Sequence, residues 1–304
     1  MKIETTASGK AFLSGEYMAL DGGRAIILST PQSAKVLISE TNQTNNILVS
    51  SMSDHGYPFL IDEKLKIVWL EENPNQLGSI LSEGISQFNK GFSGKSIAID
   101  TSDFFYGERK IGIGSSAAVS AALTKALNKL LDLRLTSKAM IDDSRQIHNR
   151  AQDSLGSGFD VMASFMKERA LSCQLYGHES YKHERIQLPE EIKIFAVVNN
   201  ASSQTSQMIN RYEAAKKKYK DYFSNHAPKM KSELDRLHDS ILRNDSSSMM
   251  NSLSSYNELL VEMDKKFSIG VFDHHHDLIS LAKDHGIFYK PSGSGGGDLG
   301  LLIS

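Results

Sequence analysis

The chain has little cysteine and no charge of one sign to spare. Its one cysteine, Cys173, has no partner for an internal disulfide. Lys plus Arg number 34 against 36 for Asp plus Glu, a net charge of -2, so no overall basic field is present to hold nucleic acid or an anionic membrane. Long apolar runs are missing too: the longest are short stretches such as Ile192–Val198, against the roughly 18 to 20 residues that a membrane span requires. Residues Met1 to Thr6 lack the charged-then-apolar run of a secretion signal, and a cytoplasmic location is expected. No internal repeat or low-complexity segment interrupts the chain, Ser246-Ser247-Ser248 coming closest. These absences exclude a disulfide scaffold and a helical membrane protein, and they argue against a nucleic-acid binder.

What remains is a chain of 304 residues, 40% of them hydrophobic, enough to fill the core of one large or two modest domains. Strands are expected at Ala11–Leu13, Ala25–Ser29 and Ala34–Ser39, with Asp21-Gly22-Gly23 as a turn. Leu77, Ile80, Leu81, Ile85 and Phe88 share a helical face after Pro74, and Ser96–Asp100 resumes a strand. Apolar residues from Val119 to Leu131 recur at helical spacing and predict a helix from Ser115 to Leu131. A second helix is expected over Ser137–Gln152, then a glycine-bearing loop, the apolar segment Val161–Met166, and strands at Ala170–Tyr176 and Ile192–Val198. From 203 to 265 the composition turns to helix formers, with Asn244-Asp245-Ser246 dividing two amphipathic stretches, and Gly300–Ser304 reads as a last strand. A domain boundary near residue 190 follows, giving domains over 1–190 and 191–304.

Three segments carry chemistry. In Lys110-Ile111-Gly112-Ile113-Gly114-Ser115-Ser116-Ala117-Ala118 the glycines let backbone N–H groups approach an anion, and the helix that begins there adds its positive dipole end. The Gly-Lys-Ser/Thr run of a P-loop is missing. The dinucleotide fingerprint fails on context, because the polar stretch Thr101–Lys110 separates strand from glycine and the helix runs past the place of the required acid. A bare Gly-Ser-Ser helix cap without ligand is the structural alternative. The second segment, Lys290 to Gly300, holds Gly293, Gly295, Gly296 and Gly297 between two strand-like stretches, so its backbone can lie against a ligand or another loop. The third is Ala7-Ser8-Gly9-Lys10, followed by Gly15-Glu16-Tyr17; a lysine on such a turn is ordinarily a solvated charge.

Together, Lys10 with Gly15-Glu16-Tyr17, the Gly-Ile-Gly-Ser-Ser-Ala-Ala loop and the final Ser-Gly-Ser-Gly-Gly-Gly-Asp loop resemble, in order and position, the three motifs of the GHMP kinases. The resemblance covers nearly the whole chain. It implies an α+β, two-domain fold: an N-terminal mixed domain with a left-handed-crossover sheet and a C-terminal ferredoxin-like domain, here shortened because the chain ends just after its last loop. Within the family, the run from Ile147 to Asp160 and the closing Gly-Gly-Gly-Asp look most like the phosphomevalonate kinase branch, with Ser202–Ser206 a looser match. That branch implies ATP-dependent phosphorylation of mevalonate 5-phosphate in isoprenoid precursor synthesis. Mevalonate kinase or another GHMP kinase is the alternative, and a non-catalytic ATP-binding sensor of this fold is an alternative of a different class.

The resemblance assigns roles residue by residue. Gly112, Gly114, Ser115, Ser116 and Ala117 would hold the ATP phosphates, Ser116 would offer its hydroxyl to Mg²⁺, and Lys110 would neutralise phosphate charge. Lys10 and Asp160 would flank the acceptor oxygen. Ser157, Gly158, Ser203, Thr205, Ser294, Gly295 and Gly296 would contact a small phosphorylated acceptor. The carboxylate that binds Mg²⁺ in several GHMP kinases has no counterpart on the Ser137–Gln152 helix; Asn149 lies near that position, flanked by His148 and Gln152. His274-His275-His276 reads as a polar helix start, since adjacent helical residues point in different directions. Lys216-Lys217-Lys218 reads as a solvated face and Cys173 as a buried thiol.

Overall fold

The computed structural model describes all residues except 153–155, 168–169, 177–179, 200–204 and 298. In chain order it contains β1 Lys2–Ser14, β2 Arg24–Glu40, β3 Asn46–Ser50, β4 Gly56–Ile61, β5 Ile67–Trp69, α1 Gln76–Phe88, β6 Lys95–Asp100, β7 Phe105–Tyr106 and β8 Arg109–Lys110. There follow α2 Ser115–Leu130, α3 Ser137–Ala151, α4 Phe159–Met166, β9 Ala170–Tyr176, β10 Ser180–Ile186 and β11 Ile194–Val198. The chain closes with α5 Thr205–Lys218, α6 Lys220–Leu242, α7 Ser246–Phe267, α8 His276–Asp284, β12 Phe288–Pro291 and β13 Leu299–Ile303. It packs as two compact units, Met1–Lys10 with Ser29–Lys167 and Ala11–Leu28 with Glu168–Ser304. The composition shift near residue 190 falls inside the second.

In the first unit the C-terminal half of β2 pairs antiparallel with β6, β6 pairs parallel with β3, and β3, β4 and β5 form an antiparallel meander. The parallel β3–β6 step needs a crossover, and α1 lies within it. Helix α2 packs on α1, α3 and α4. It buries Ala117, Ala118, Val119, Ala121, Ala122, Leu123, Ala126 and Leu127, and each buried Leu or Val contributes roughly 1.5 to 3 kcal/mol. The small alanines let neighbouring helices approach closely. Gly84 of α1 does the same from the other side, since a Cβ there would stand 2.9 Å from Leu127 Cδ1. Thr136 starts α3 by accepting from the Ala139 N–H at 3.2 Å, a cap worth about 1 kcal/mol. The face that α3 buries carries Ile141, Ser144, Ile147 and His148. That spacing of three and four residues turns His148 inward.

In the second unit Arg24–Leu28 of β2 pairs antiparallel with β9, which pairs with β10. A separate three-stranded antiparallel sheet places β13 between β11 and β12. This is the small C-terminal sheet of the expected fold, with α5 to α8 as its helical part. An aromatic-rich core of Tyr17, Tyr212, Phe223, Tyr256, Leu260 and Met263 gathers there. Asp245 caps α7 by accepting from the Ser248 N–H at 2.9 Å. Cys173 is buried in β9, and no helix among the described residues is long and apolar enough to cross a membrane.

Several elements differ from the sequence expectation. The two strands expected at 25–29 and 34–39 are one, β2; Pro31, which has no N–H to donate, falls between the register with β9 and the register with β6. The helix formers after residue 205 build three helices rather than two, because the chain also breaks at Tyr219, which has the non-helical φ −118° and ψ 52°. The segment Val161–Met166 belongs to helix α4, entered through Gly158.

Candidate active site

The geometry around the first glycine-rich loop lies within the first unit. Gly9 brings β1 against the glycine-rich loop: a Cβ there would stand 2.5 Å from Thr30 Oγ1 and 3.0 Å from the Ile113 carbonyl oxygen. The Lys10 N–H then donates to that Ile113 carbonyl at 2.8 Å. From this anchor the Lys10 side chain crosses Gly114, where a Cβ would meet Lys10 Cε at 2.7 Å and Cγ at 3.1 Å. Gly114 has φ 78°, a left-handed conformation, and it is the N-cap of α2. Only glycine satisfies both the backbone angle and the lysine stem. Ser115, Ser116 and Ala117 form the first turn of α2, whose N–H groups have no intrahelical acceptor and carry the positive end of the helix dipole.

A second loop is held by α3. Arg145 Nη2 donates to the Ser157 carbonyl at 2.8 Å and Asn149 Nδ2 to the Gly156 carbonyl at 3.4 Å. Gly158, with φ 70°, caps α4; a Cβ there would stand 2.5 Å from Arg145 Nε. This turn sets Asp160 in the first turn of α4, where a carboxylate is favoured by the helix dipole.

Asp160, His148 and Lys10 form one electrostatic cluster. Burial disfavours the charged Asp160 carboxylate, but His148, Lys10 and the Val161 N–H, 2.9 Å from Oδ1, hold its pKa below the ordinary value. Burial pushes the His148 imidazole below its ordinary pKa, Asp160 opposing and Lys10 assisting. At neutral pH the pair is therefore a carboxylate beside a neutral imidazole. His148 Nε2 lies 3.2 Å from Ser116 Oγ and 3.1 Å from Gln152 Nε2, while its Nδ1 is buried with no hydrogen-bond partner among the described residues.

Of the residues singled out from sequence, Lys10, Gly114, Ser116 and Asp160 thus converge, with Ser115 and Ala117 in the adjoining turn of α2. Gly112 has φ 76°, two residues before the helix. Lys110 is exposed at the end of β8 and pairs with Phe105. Ser157 and Gly158 shape the loop before Asp160. His148 was missed as a functional candidate. One helical histidine gives no signal of its own; the available clue was its place on the apolar face of α3, four residues before Gln152.

The donor set suits a metal that arrives with a nucleotide. Among the described residues no three His, Cys, Asp or Glu side chains are grouped to hold an ion. Magnesium takes most of its ligands from phosphate and water and only one or two from protein. The Ser116 hydroxyl, linked to the Asp160 cluster through His148, would be such a protein ligand.

The second glycine-rich loop lies wholly in the second unit. Gly295 and Gly296 are taken up in packing: a Cβ on Gly295 would stand 2.2 Å from the Val271 carbonyl oxygen, and the Gly296 N–H donates to the same oxygen at 3.0 Å. Asp264 fixes the opposing segment by accepting from the N–H groups of Gly270, Val271 and Phe272 at 2.6, 3.1 and 3.0 Å. Beneath the loop, buried Lys290 Nζ meets Glu16 Oε1 at 2.5 Å and the Pro291 carbonyl at 2.6 Å. Tyr17 donates to the Ser294 carbonyl at 2.7 Å, and Ser294 Oγ to Thr205 Oγ1 at 3.2 Å. Gly15-Glu16-Tyr17 therefore supports this loop. Ser203 lies outside the described residues. His275 is buried against Tyr289, its Nδ1 2.8 Å from the hydroxyl, while His276 begins α8.

Comparison with known proteins bears on the fold and on one segment of the chain. Residues 83–168 match the family model of the GHMP kinases N terminal domain. No curated protein sequence matches the chain significantly. Among solved structures, the Lin0012 protein from Listeria innocua superposes with a TM-score of 0.85 at 18% identity, covering 100% of this chain and 91% of that one. The phosphomevalonate kinase of Streptococcus pneumoniae, in complex with phosphomevalonate and AMPPNP, gives 0.79 at 18% identity, covering 99% and 92%. The mevalonate kinase of L. major, in complex with R-mevalonate, gives 0.74 at 15% identity, covering 99% and 87%. Residues 83–168 are thus similar to the N-terminal domain of the GHMP kinases, and the chain as a whole has the GHMP kinase fold.

Proposed function

We propose that the chain is an ATP-dependent small-molecule kinase whose acceptor is mevalonate 5-phosphate, the phosphoryl group passing between the start of α2 and the Lys10–Asp160 pair. The observation that carries this reading is the crossing of Lys10 over Gly114, which sets an ammonium beside the phosphate-binding turn and in the field of Asp160. Phosphoryl transfer is catalysed mainly by positioning and by stabilising charge on the transferred group. The first-turn N–H groups of α2 would hold the phosphates, and Lys10 would stabilise charge as it develops. Lys110 would add charge at the loop's entrance. Bound through Ser116, Mg²⁺ would neutralise phosphate charge.

An acceptor phosphate has its second pKa at about 6 and is largely deprotonated at neutral pH. A strong base is then unnecessary, which fits a carboxylate held below its ordinary pKa. Asp160 would orient Lys10 and the acceptor. In the first unit Ser157 and Gly158 remain candidates for the acceptor's contacts, whereas the space beside Gly295 and Gly296 is taken up by Val271. The likeness to a structure holding phosphomevalonate supports this acceptor, and the likeness to one holding R-mevalonate supports mevalonate as the second reading.

The test is ADP release by purified protein with Mg-ATP and, separately, mevalonate 5-phosphate, mevalonate, galactose and homoserine. Mevalonate 5-phosphate is expected to give the highest kcat/KM. Preference for mevalonate would overturn the acceptor assignment alone, and no release with any acceptor would favour a nucleotide-binding sensor.

A further inference from the structure

At the far end of α2 from the glycine-rich loop, the first unit has a cavity of about 520 Å³ lined by Glu4, Thr5, Thr6, Lys125, Asn128, Lys129, Met140 and Phe165. Such a volume lies within the range of small-molecule sites. Lys125 is separated from Ser115 by about 15 Å along the helix, so this cavity is distinct from the candidate active site. Two lysines, Lys125 and Lys129, line it, and a third, Lys167, reaches its wall through Thr6. Lys125 is half-buried; its Nζ donates to the Phe165 carbonyl at 2.8 Å and the Thr6 carbonyl at 3.4 Å and sits 4.1 Å from the Phe165 ring centroid. Lys129 is exposed one helical turn on, and Lys167 donates to the Thr6 hydroxyl. Among the described residues none of the three is in a salt bridge, although Glu4 stands on the cavity wall.

We propose that this cavity binds a phosphorylated small molecule, with Lys125, Lys129 and Lys167 on its phosphate and Met140 and Phe165 against its apolar part. A lysine in the last turn of a helix is favoured by the dipole, which accounts for Lys129 alone. It does not account for a second ammonium drawn half out of water, nor for a third on a different element. Lys167, moreover, holds a left-handed backbone with φ 58° at the end of α4, a conformation that a non-glycine residue adopts at a cost. Burial, with Lys167 and Lys129 nearby, lowers the Lys125 pKa to about 8. Burial first, and the neighbouring ammonium groups second, thus disfavour the charged Lys125, and a bound dianion would favour it.

The test uses full-length ¹⁵N-labelled protein titrated with glycerol 3-phosphate and, separately, inorganic phosphate, followed by amide shifts and calorimetry. Saturable shifts are expected at Thr6, Lys125, Lys129 and Lys167, with glycerol 3-phosphate binding more tightly than inorganic phosphate. Since a bound anion raises the Lys125 pKa, binding at pH 8 should take up as much as about half a proton, read from its dependence on buffer ionisation enthalpy. Lys125→Met and Lys129→Met should each weaken binding at least tenfold, with Lys129→Arg restoring it; Lys129 is exposed, so that pair reports binding even if Lys125→Met fails to fold. Shifts confined to residues 112–117, or equal affinity in Lys129→Met, would overturn the proposal.

Discussion

The two glycine-rich loops look alike in sequence and behave differently. In the first unit, Gly114 takes a left-handed backbone and yields its side-chain space to Lys10, and the N–H groups after it open a helix. In the second, Gly295 and Gly296 are occupied by the Val271 carbonyl, and the charges beneath, Lys290 and Glu16, neutralise each other out of water. Glycine content tells only that backbone comes close to something. Whether that something is a ligand or the protein's own chain depends on where the neighbouring charges and N–H groups are already used.

This contrast predicts loss of stability from changes beneath the second loop and loss of activity from changes at the first. The largest stability effect is expected at the buried pair. Lys290→Met should cost about 3 to 5 kcal/mol in urea unfolding, by leaving the Glu16 carboxylate uncompensated, and adding Glu16→Leu should recover much of it. If the single variant unfolds at the wild-type midpoint, the second loop is not held as described. Next, Gly295→Ala should cost about 2 to 4 kcal/mol, because its Cβ would collide with backbone and its φ is +80°. Gly114→Ala should lose less stability, about 1 to 2 kcal/mol, since the atoms in its way belong to a flexible lysine, yet it should lose the greater share of turnover. Equal effects of the two glycine variants on turnover would erase the distinction.

A smaller effect concerns pH. Burial and Lys290 hold the His275 pKa down to about 4. Its neutral form therefore contributes stability that is complete above the unfolded pKa near 6.5 and lost as pH falls toward about 4. Between pH 7 and 4.5, His275→Gln should lose about 2 kcal/mol less than wild type, compared by urea midpoints. Identical pH profiles would remove His275 from the account.

Much of this was legible in sequence where one physical signal dominated. Helix α2 and its start at the glycine loop followed from apolar residues at helical spacing directly after Gly114, and the ends of α3 were placed within a residue. Strand β10 gave no such signal, because most of its residues, among them Lys182, Glu184 and Arg185, are exposed. The length of β2 was hidden by Pro31, which reads as an interruption but falls between two registers. At the candidate site, Lys10 and Asp160 are singled out by motif resemblance. His148 is not, because its meaning lies in a contact with Ser116 across two helices that no local pattern encodes. The packing role of Gly295 was equally invisible, since its partner, Val271, belongs to a different segment.

The central claim is that Lys10 and Asp160 act on the transferred phosphoryl group at the start of α2. Single-turnover transfer of labelled γ-phosphate from Mg-ATP to mevalonate 5-phosphate tests it most directly, using wild type, Lys10→Met and Asp160→Asn. Both variants are expected to lose about a thousandfold or more in transfer rate while binding ATP within about tenfold of wild type and unfolding at a similar midpoint. Transfer at the wild-type rate by either variant would contradict the account.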